Sequence, residues 1–244
     1  MKQDLFTIKE NRPLTKNVYL MKLIGDTEGI IPGQFVNIKL DGFYLRRPIS
    51  VCDCEDGELT LIYKVVGVGT EAMSEMREGE ALDILTGLGN GYDLSLSGDS
   101  PLLVGGGVGV PPLYMLAKKL CAEGKNVSVV LGFNTKDEIF FEDEFRALGA
   151  SVTVTTVDGS YGTRGFVTDA MKDIDFSYFY SCGPEPMLKA LYKSSVTSGE
   201  MSFEERMGCG FGACMGCSCK TVTGNKRICK EGPVLKKEDI IWQT

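Results

Sequence analysis

In the first hundred residues, apolar side chains fall in short, often alternating runs: Phe6–Lys9, Val18–Leu23, Gln34–Leu40, Ile49–Cys52, Leu59–Val66 and Ala81–Leu85. Turn pairs separate them, among them Pro32-Gly33, Asp41-Gly42, Asp56-Gly57 and Glu78-Gly79. A period of two puts alternate side chains on opposite faces, so this spacing predicts six strands of a small antiparallel barrel, with one short helix at Glu71–Met76. After Ser100 the pattern changes. An apolar run, Leu102–Val104, leads through glycines into a helical repeat from Pro112 to Cys121, followed by a strand at Val127–Gly132. A helix at Phe141–Leu148, a strand at Ser151–Val157, a short helix near Val167–Met171, a strand at Tyr178–Cys182 and a helix at Pro184–Ser195 complete the series. Such alternation predicts a parallel sheet with helices on both faces. Beyond about Ser198 the chain is rich in cysteine and glycine, and forty-odd residues of that kind need a staple to fold. The expected organisation is therefore multi-domain: a β-barrel at 1–98, an α/β domain at 99–200 and a small C-terminal module at 201–244.

Composition narrows the chemistry. The chain has 244 residues, nine cysteines and no histidine. Without imidazole there is no Ser-His-Asp or Cys-His pair, no HExxH zinc site and no Rieske-type cluster. The net charge of −7 disfavours nucleic acid as a partner, although residues 204–244 alone hold seven Lys and Arg against five Asp and Glu. The opening MKQDLFTIKE lacks the apolar stretch of a secretory signal, and no run is long and apolar enough to span a membrane, so a cytoplasmic protein is expected. In a reducing compartment an odd number of cysteines points to ligands, reactive thiols or small core residues rather than disulfides.

Five of the nine cysteines crowd into CGFGACMGCSCKTVTGNKRIC, residues 209–229. Taken as Cys209, Cys214, Cys217 and Cys229 they read C-x4-C-x2-C-x11-C, whose first three members have the plant-type [2Fe-2S] spacing. One tight loop must wrap such a cluster with amide N–H groups turned to the sulfurs, and Gly208, Gly210, Gly212 and Gly216 permit it. Cys219 competes for the fourth place, and a four-cysteine zinc knuckle is the alternative, although only one C-x2-C pair is present. Cys52, Cys54 and Cys121 read as small core residues.

Two strings sit where a strand gives way to a helix. Val104–Pro112, VGGGVGVPP, is not the Rossmann fingerprint but contains G-x-G-x-x-P at Gly107, Gly109 and Pro112; Gly105 and Gly106 complete the run. Alone it is as readily a tight turn as a phosphate loop. The second string, Cys182-Gly183-Pro184-Glu185-Pro186-Met187, ends the last predicted strand of the α/β region. Ligands of open α/β sheets bind outside the carboxyl ends of strands, so both strings should face one crevice.

These strings resemble the ferredoxin-NADP reductase superfamily, in which a flavin barrel precedes a nicotinamide domain carrying GxGxxP and CGPxPM-like motifs. Arg47-Pro48-Ile49-Ser50 is similar to its R-x-[YFI]-[ST] flavin motif, with the arginine on the pyrophosphate. The C-terminal position of the cysteine string and the text ERMGCGFGACMGC…CKEGPV resemble, within that superfamily, the electron-transfer subunits of NAD-linked (class 1B) dihydroorotate dehydrogenases. The resemblance implies FAD contacts at Arg47, Pro48, Ile49, Ser50, Ile62, Tyr63, Lys64, Gly69 and Thr70. It implies NAD contacts at Gly105, Gly106, Gly107, Gly109, Cys182, Gly183, Pro184 and Met187. The [2Fe-2S] ligands it implies are Cys209, Cys214, Cys217 and Cys229, leaving Cys219 outside. NAD is expected over NADP because no arginine occurs in Asn134-Thr135-Lys136; no acidic ribose anchor is evident after Val127–Gly132 either.

By the same resemblance the partner is an FMN-containing dihydroorotate dehydrogenase catalytic subunit, in a heterotetramer of two of each. Electrons would pass from that FMN through the cluster and FAD to NAD+, in pyrimidine biosynthesis, and no residue of this chain need act as a general acid or base. The alternatives are a flavin and [2Fe-2S] subunit of another complex, of the sulfide dehydrogenase or ferredoxin:NADP oxidoreductase type, and a non-catalytic protein with a zinc-stapled tail. Ile240, Ile241 and Trp242 are expected either to anchor the partner or to clip the tail to the body.

Overall fold

In the computed structural model, which describes residues 1–242, six antiparallel strands close on themselves: β1 (Lys2–Pro13), β2 (Val18–Ile24), β3 (Phe35–Ile38), β4 (Arg47–Glu55), β5 (Glu58–Lys64) and β6 (Ala81–Leu88). Their order is β1-β2-β5-β4-β3-β6. Strand β1 is far longer than its apolar run because it serves two neighbours: Lys2–Thr7 pairs with β6, and beyond a bulge at Ile8/Glu10 the strand continues along β2 to Pro13. The bulge lets one strand bend around the corner that closes the barrel. Phe6, Ile8, Met21, Leu23, Val36, Ile38, Leu59, Leu61 and Ile84 fill the interior. Helix α1 (Val68–Glu75) plugs one end with the buried Met73. Its closing carbonyls, those of Met73 and Met76, both accept from Asn11 Nδ2 at 2.9 Å, and Tyr63 donates its hydroxyl to Asn11 Oδ1 at 3.0 Å.

The second half alternates as expected through β7 (Pro101–Gly106), α2 (Tyr114–Ala122), β8 (Ser128–Phe133), α3 (Glu142–Ala147), β9 (Ser151–Thr156), α4 (Val167–Ala170), β11 (Tyr178–Cys182) and α5 (Glu185–Ser194), with two unforeseen strands added, β10 (Thr163–Arg164) after β9 and β12 (Gly199–Ser202) after α5. A hairpin, β13 (Ser218–Thr221) and β14 (Gly224–Arg227), and a last strand, β15 (Val234–Lys236), follow. Seven strands form one sheet, β10-β9-β8-β7-β11-β12-β15, parallel except for β15. Period-two alternation divides it. Leu103, Val129, Leu131 and Tyr180 face Leu116 and Phe145, whereas Leu102, Val104, Val130 and Phe179 face Val167, Leu188 and Leu191.

Strands β12 and β15 were not predicted. Gly199–Ser202 and Val234–Lys236 are too short and too mixed to show a period, and their partners supply the reason they are extended: β11 for β12, then β12 for β15. Strand β12 runs through residue 200, so the sheet takes strands from both sides of that position.

The barrel and sheet share an apolar seam. Val18, Leu20, Cys52 and Ile62 on the outer barrel surface join Leu113, Leu116 and Ala117 in one buried cluster. Each large side chain so buried contributes roughly 1.5–3 kcal/mol. Lys118 at the rim donates to Asp53 Oδ2 at 2.9 Å and Glu55 Oε2 at 2.8 Å. The tail folds back on the body: Ile240 is buried, and Trp242 stands edge-on to Tyr192 with ring centroids 5.0 Å apart, against Phe203. Ile241 alone of the three is exposed.

Candidate functional site

Two cavities adjoin at Lys64, Val108 and Glu204, which line both. The smaller, of about 360 Å³, lies on the barrel and is lined by Arg47, Pro48, Ile49, Ser50, Ile62, Tyr63, Lys64 and Thr70. Strand alternation sorts the last strand of these. Ile62 and Lys64 face outward, while the Tyr63 ring is nearly enclosed in the barrel, its hydroxyl on Asn11. Arg47 lies across the start of α1, over the Phe43 ring at 4.9 Å, and donates to the Leu45 carbonyl. A Cβ at Gly69 would stand 2.0 Å from Arg47 Nε, so only glycine lets the guanidinium rest there. A cation beside the free N–H groups of a helix start is a fit site for a pyrophosphate.

The larger cavity, of about 640 Å³, opens at the carboxyl ends of β7, β8 and β11. Gly106, Gly107, Gly109, Gly183, Pro184 and Met187 line it. The two strings touch: a Cβ at Gly109 would meet the Cys182 carbonyl at 2.3 Å, and one at Gly106 would meet Met187 Sδ at 2.6 Å. Gly107, with φ +53°, has open space where a side chain would go. Gly105 lies behind this wall, packed on Val110 and Leu113, and does not reach the crevice. Cys182 is buried at the border with the barrel cavity, where burial pushes its thiol up to about 12 and leaves it a neutral group.

Sequence reasoning missed several lining residues. Glu138 and Asn134 lie at the mouth of the larger cavity, Asn134 Nδ2 donating to Glu138 Oε2 at 2.9 Å. This carboxylate comes five residues after β8, so an acidic group does follow that strand at the cavity, where none was expected from the sequence. Glu204 and Phe203 follow β12, a strand not anticipated, so nothing in the sequence marked them.

The cysteine loop lies against the barrel. Ala213 and Cys214 direct N–H groups at Cys209 Sγ (3.2 and 3.4 Å), while Cys209 and Gly216 direct theirs at Cys214 Sγ (both 3.5 Å). Cys229 N–H points at Cys217 Sγ at 3.4 Å. Burial raises the Cys209 thiol, but N–H groups of Phe211, Cys214 and Ala213 outweigh it and bring it down to about 6; Cys229, more enclosed and beside Cys217, is pushed up to about 12. The four thiols thus fall into two pairs, 209 with 214 and 217 with 229. Among the described residues no three Cys, Asp or Glu side chains converge on one ion position. Two pairs match a two-iron cluster, in which each iron takes two thiolates, better than the single tetrahedron of a zinc knuckle. Cys219 lies on β13, half-buried and packed toward the core, outside both pairs.

A flavin-type barrel, a nicotinamide-type sheet and a cysteine loop together define a reductase of the ferredoxin-NADP reductase class with a built-in iron–sulfur module. Residues 103–193 match the oxidoreductase NAD-binding domain, and residues 204–241 match the iron-sulfur cluster binding domain of dihydroorotate dehydrogenase B. The dihydroorotate dehydrogenase B (NAD+) electron transfer subunits of Fusobacterium nucleatum and of a Geobacillus species are each 46% identical to this chain; alignments cover 98% and 99% of it and 99% of each relative. A chain in the solved structure of NADH-dependent reduced ferredoxin-NADP oxidoreductase, studied for flavin-based electron bifurcation, superposes with a TM-score of 0.89 at 32% identity, covering 98% of this chain and 90% of that one. The ferredoxin reductase of carbazole 1,9a-dioxygenase shares the fold, with a TM-score of 0.69 at 21% identity over 79% of this chain and 64% of its own. This chain belongs to the family of dihydroorotate dehydrogenase B (NAD+) electron transfer subunits.

Proposed function

We propose that this chain carries electrons from the FMN of a dihydroorotate-oxidising partner subunit to NAD+, through a [2Fe-2S] cluster and FAD. The observation that carries the reading is the junction of the two cavities at Lys64, Val108 and Glu204. A flavin exchanges a hydride with a nicotinamide and also passes electrons singly, which is what joins a two-electron carrier to a one-electron cluster.

This chain's residues hold and orient those groups. Arg47 and the start of α1 take the FAD pyrophosphate, while Pro48, Ile49 and Ser50 lie along the ring system with Ile62 and Lys64. Tyr63 acts from within, keeping β5 in place through Asn11. Gly106, Gly107 and Gly109 give the dinucleotide a wall without side chains, with Gly183, Pro184 and Met187 opposite. Glu138 suits the paired hydroxyls of an NAD ribose and repels the extra phosphate of NADP. Cys209, Cys214, Cys217 and Cys229 hold the cluster. With Cys182 neutral at the border, no side chain needs to move a proton; the work is to bring two rings face to face.

The barrel, nicotinamide and cluster parts are read as 1–98, 99–200 and 201–244. The cluster face, where Cys214 is exposed between Phe211 (44% exposed) and Met215 (55%), is where the partner docks, in an assembly of two copies of each subunit. Among the described residues no helix is long and apolar enough to cross a membrane, and the assembly is read as cytoplasmic. A ferredoxin:NADP oxidoreductase role is the second reading, favoured by the 0.89 superposition. Co-expression with a dihydroorotate-oxidising subunit decides between them. The expected result is a complex containing FMN, FAD and iron that forms NADH from dihydroorotate and NAD+; a pure complex with all three groups and no such activity overturns the first reading.

A further inference from the structure

We propose that Asn37 is a positioning residue for the one-electron step, holding the cluster loop at a set gap from the flavin strand; this rests on the function proposed above. Strand β3 reads Phe35-Val36-Asn37-Ile38, four buried positions of which one is polar. Asn37 is 2% exposed, yet its Oδ1 has no hydrogen-bond partner. A half-satisfied buried amide is worse for stability than an apolar side chain of the same size, so packing does not account for it.

Its neighbours do. On one side Asn37 is paired in register with Pro48, inside the Arg47–Ser50 segment that lines the barrel cavity. On the other, Nδ2 donates to the carbonyl of Cys209, a cluster ligand, at 3.3 Å. The approach is built in: a Cβ at Gly210 would stand 2.3 Å from Nδ2, and Gly210 has φ +77°, a conformation that suits glycine. The pairing of β3 with β6 is irregular beside it: two steps, Phe35 to Asn37, stand opposite three, Leu88 to Leu85, so the extra residue lies on β6. The backbone behind it is braced, since Arg46 Nη1 donates to the Asn37 carbonyl at 3.2 Å and to that of Asp83 at 3.0 Å, while Arg46 Nη2 pairs with the Asp83 carboxylate at 2.9 Å. Asp83, Arg46, Asn37 and Cys209 therefore form one hydrogen-bonded string from barrel wall to cluster loop.

The test uses the full chain purified with its FAD and cluster, comparing wild type with Asn37→Leu and Asn37→Asp. Both variants are expected to keep full flavin and iron and to reduce FAD with NADH within about twofold of wild type, while onward reduction of the cluster slows about tenfold, as misplacement of partners predicts. The EPR spectrum of the reduced cluster should shift in both, and Asn37→Asp, which sets a carboxylate against the Cys209 carbonyl, should lower the cluster's midpoint potential. Unchanged cluster reduction and an unchanged spectrum in both variants would overturn the proposal. So would loss of the cluster from both, which would make Asn37 an assembly residue. A wild-type protein without flavin or iron fails the underlying reading instead, whatever the variants do.

Discussion

The barrel meets its two neighbours through seams of different construction. Toward the nicotinamide sheet the contact is broad and apolar, with Val18, Leu20, Cys52 and Ile62 against Leu113, Leu116 and Ala117, and Lys118 pairs with Asp53 and Glu55 at its rim. Toward the cluster loop there is an apolar floor, where Phe35, Leu85 and Leu88 share a cluster with Cys217, Ile228 and Cys229, but amides set the alignment. Asn37 holds Cys209, and Asn90 exchanges hydrogen bonds with Val234, donating to its carbonyl at 2.7 Å and accepting from its N–H at 3.0 Å. Hydride exchange demands two rings in contact, which a wide, closely packed seam preserves. A one-electron step demands only a fixed gap, and a few directional bonds suffice for that.

If the seams are independent, each can be damaged alone. The largest effect is expected from Cys214→Ser, which should abolish the iron–sulfur EPR signal and transfer from the partner while NADH still reduces FAD. Full transfer in that variant would break the ligand assignment. Next comes Leu116→Ala, in the apolar seam, where a fully buried leucine is lost; unfolding in urea should show a loss of about 2–5 kcal/mol. Its reduced cluster should give the wild-type EPR spectrum, and a changed spectrum would mean the seams are coupled.

A smaller effect belongs to Glu200 on β12, buried beside the segment that links barrel to sheet, where its Oε2 accepts from Asp93 N–H at 2.9 Å. Burial raises its carboxyl to about 7. The folded chain therefore keeps a proton that the unfolded chain releases near pH 4.5, so this group's contribution to stability is present at low pH and lost as pH rises toward 7. Glu200→Gln removes the dependence, keeps an acceptor for Asp93, and should leave the protein more stable at pH 8 by on the order of 2 kcal/mol, with little difference at pH 4. Equal urea midpoints for both proteins at pH 8 would show that the ionised carboxylate is tolerated there.

How much of this was legible beforehand depended on whether a residue's role was local. The barrel strands and the alternating half follow from period and turns, which short stretches of chain carry by themselves. Arg47–Ser50, on one strand that lines the barrel cavity, and Cys209, Cys214 and Cys217, in one loop, stand out in the sequence because each group is a short pattern; Cys229 joins them only across the β13–β14 hairpin. Gly105 belonged to the same glycine run as Gly106 and Gly107 but packs on Val110, a difference set by which way the strand end faces. Strands β12 and β15 exist through partners distant in sequence, and Glu204 and Phe203 inherit their place from β12. Asn37 carries no local mark at all; only a contact across 172 positions of sequence sets it apart.

The pairing of β12 with β15 has a consequence for how such a chain can be altered. Because Glu200, Met201 and Ser202 stand opposite Lys236, Leu235 and Val234, both ends of the cysteine segment are fastened to one sheet edge, and the segment is an insertion rather than an appendage. The entropy of closing such a loop grows only logarithmically with its length, by about 0.6 kcal/mol per doubling. The edge is thus a mounting point: the metal-bearing loop could be lengthened, trimmed or exchanged for another while the sheet beneath keeps its register, which makes it a natural place to transplant a different one-electron relay.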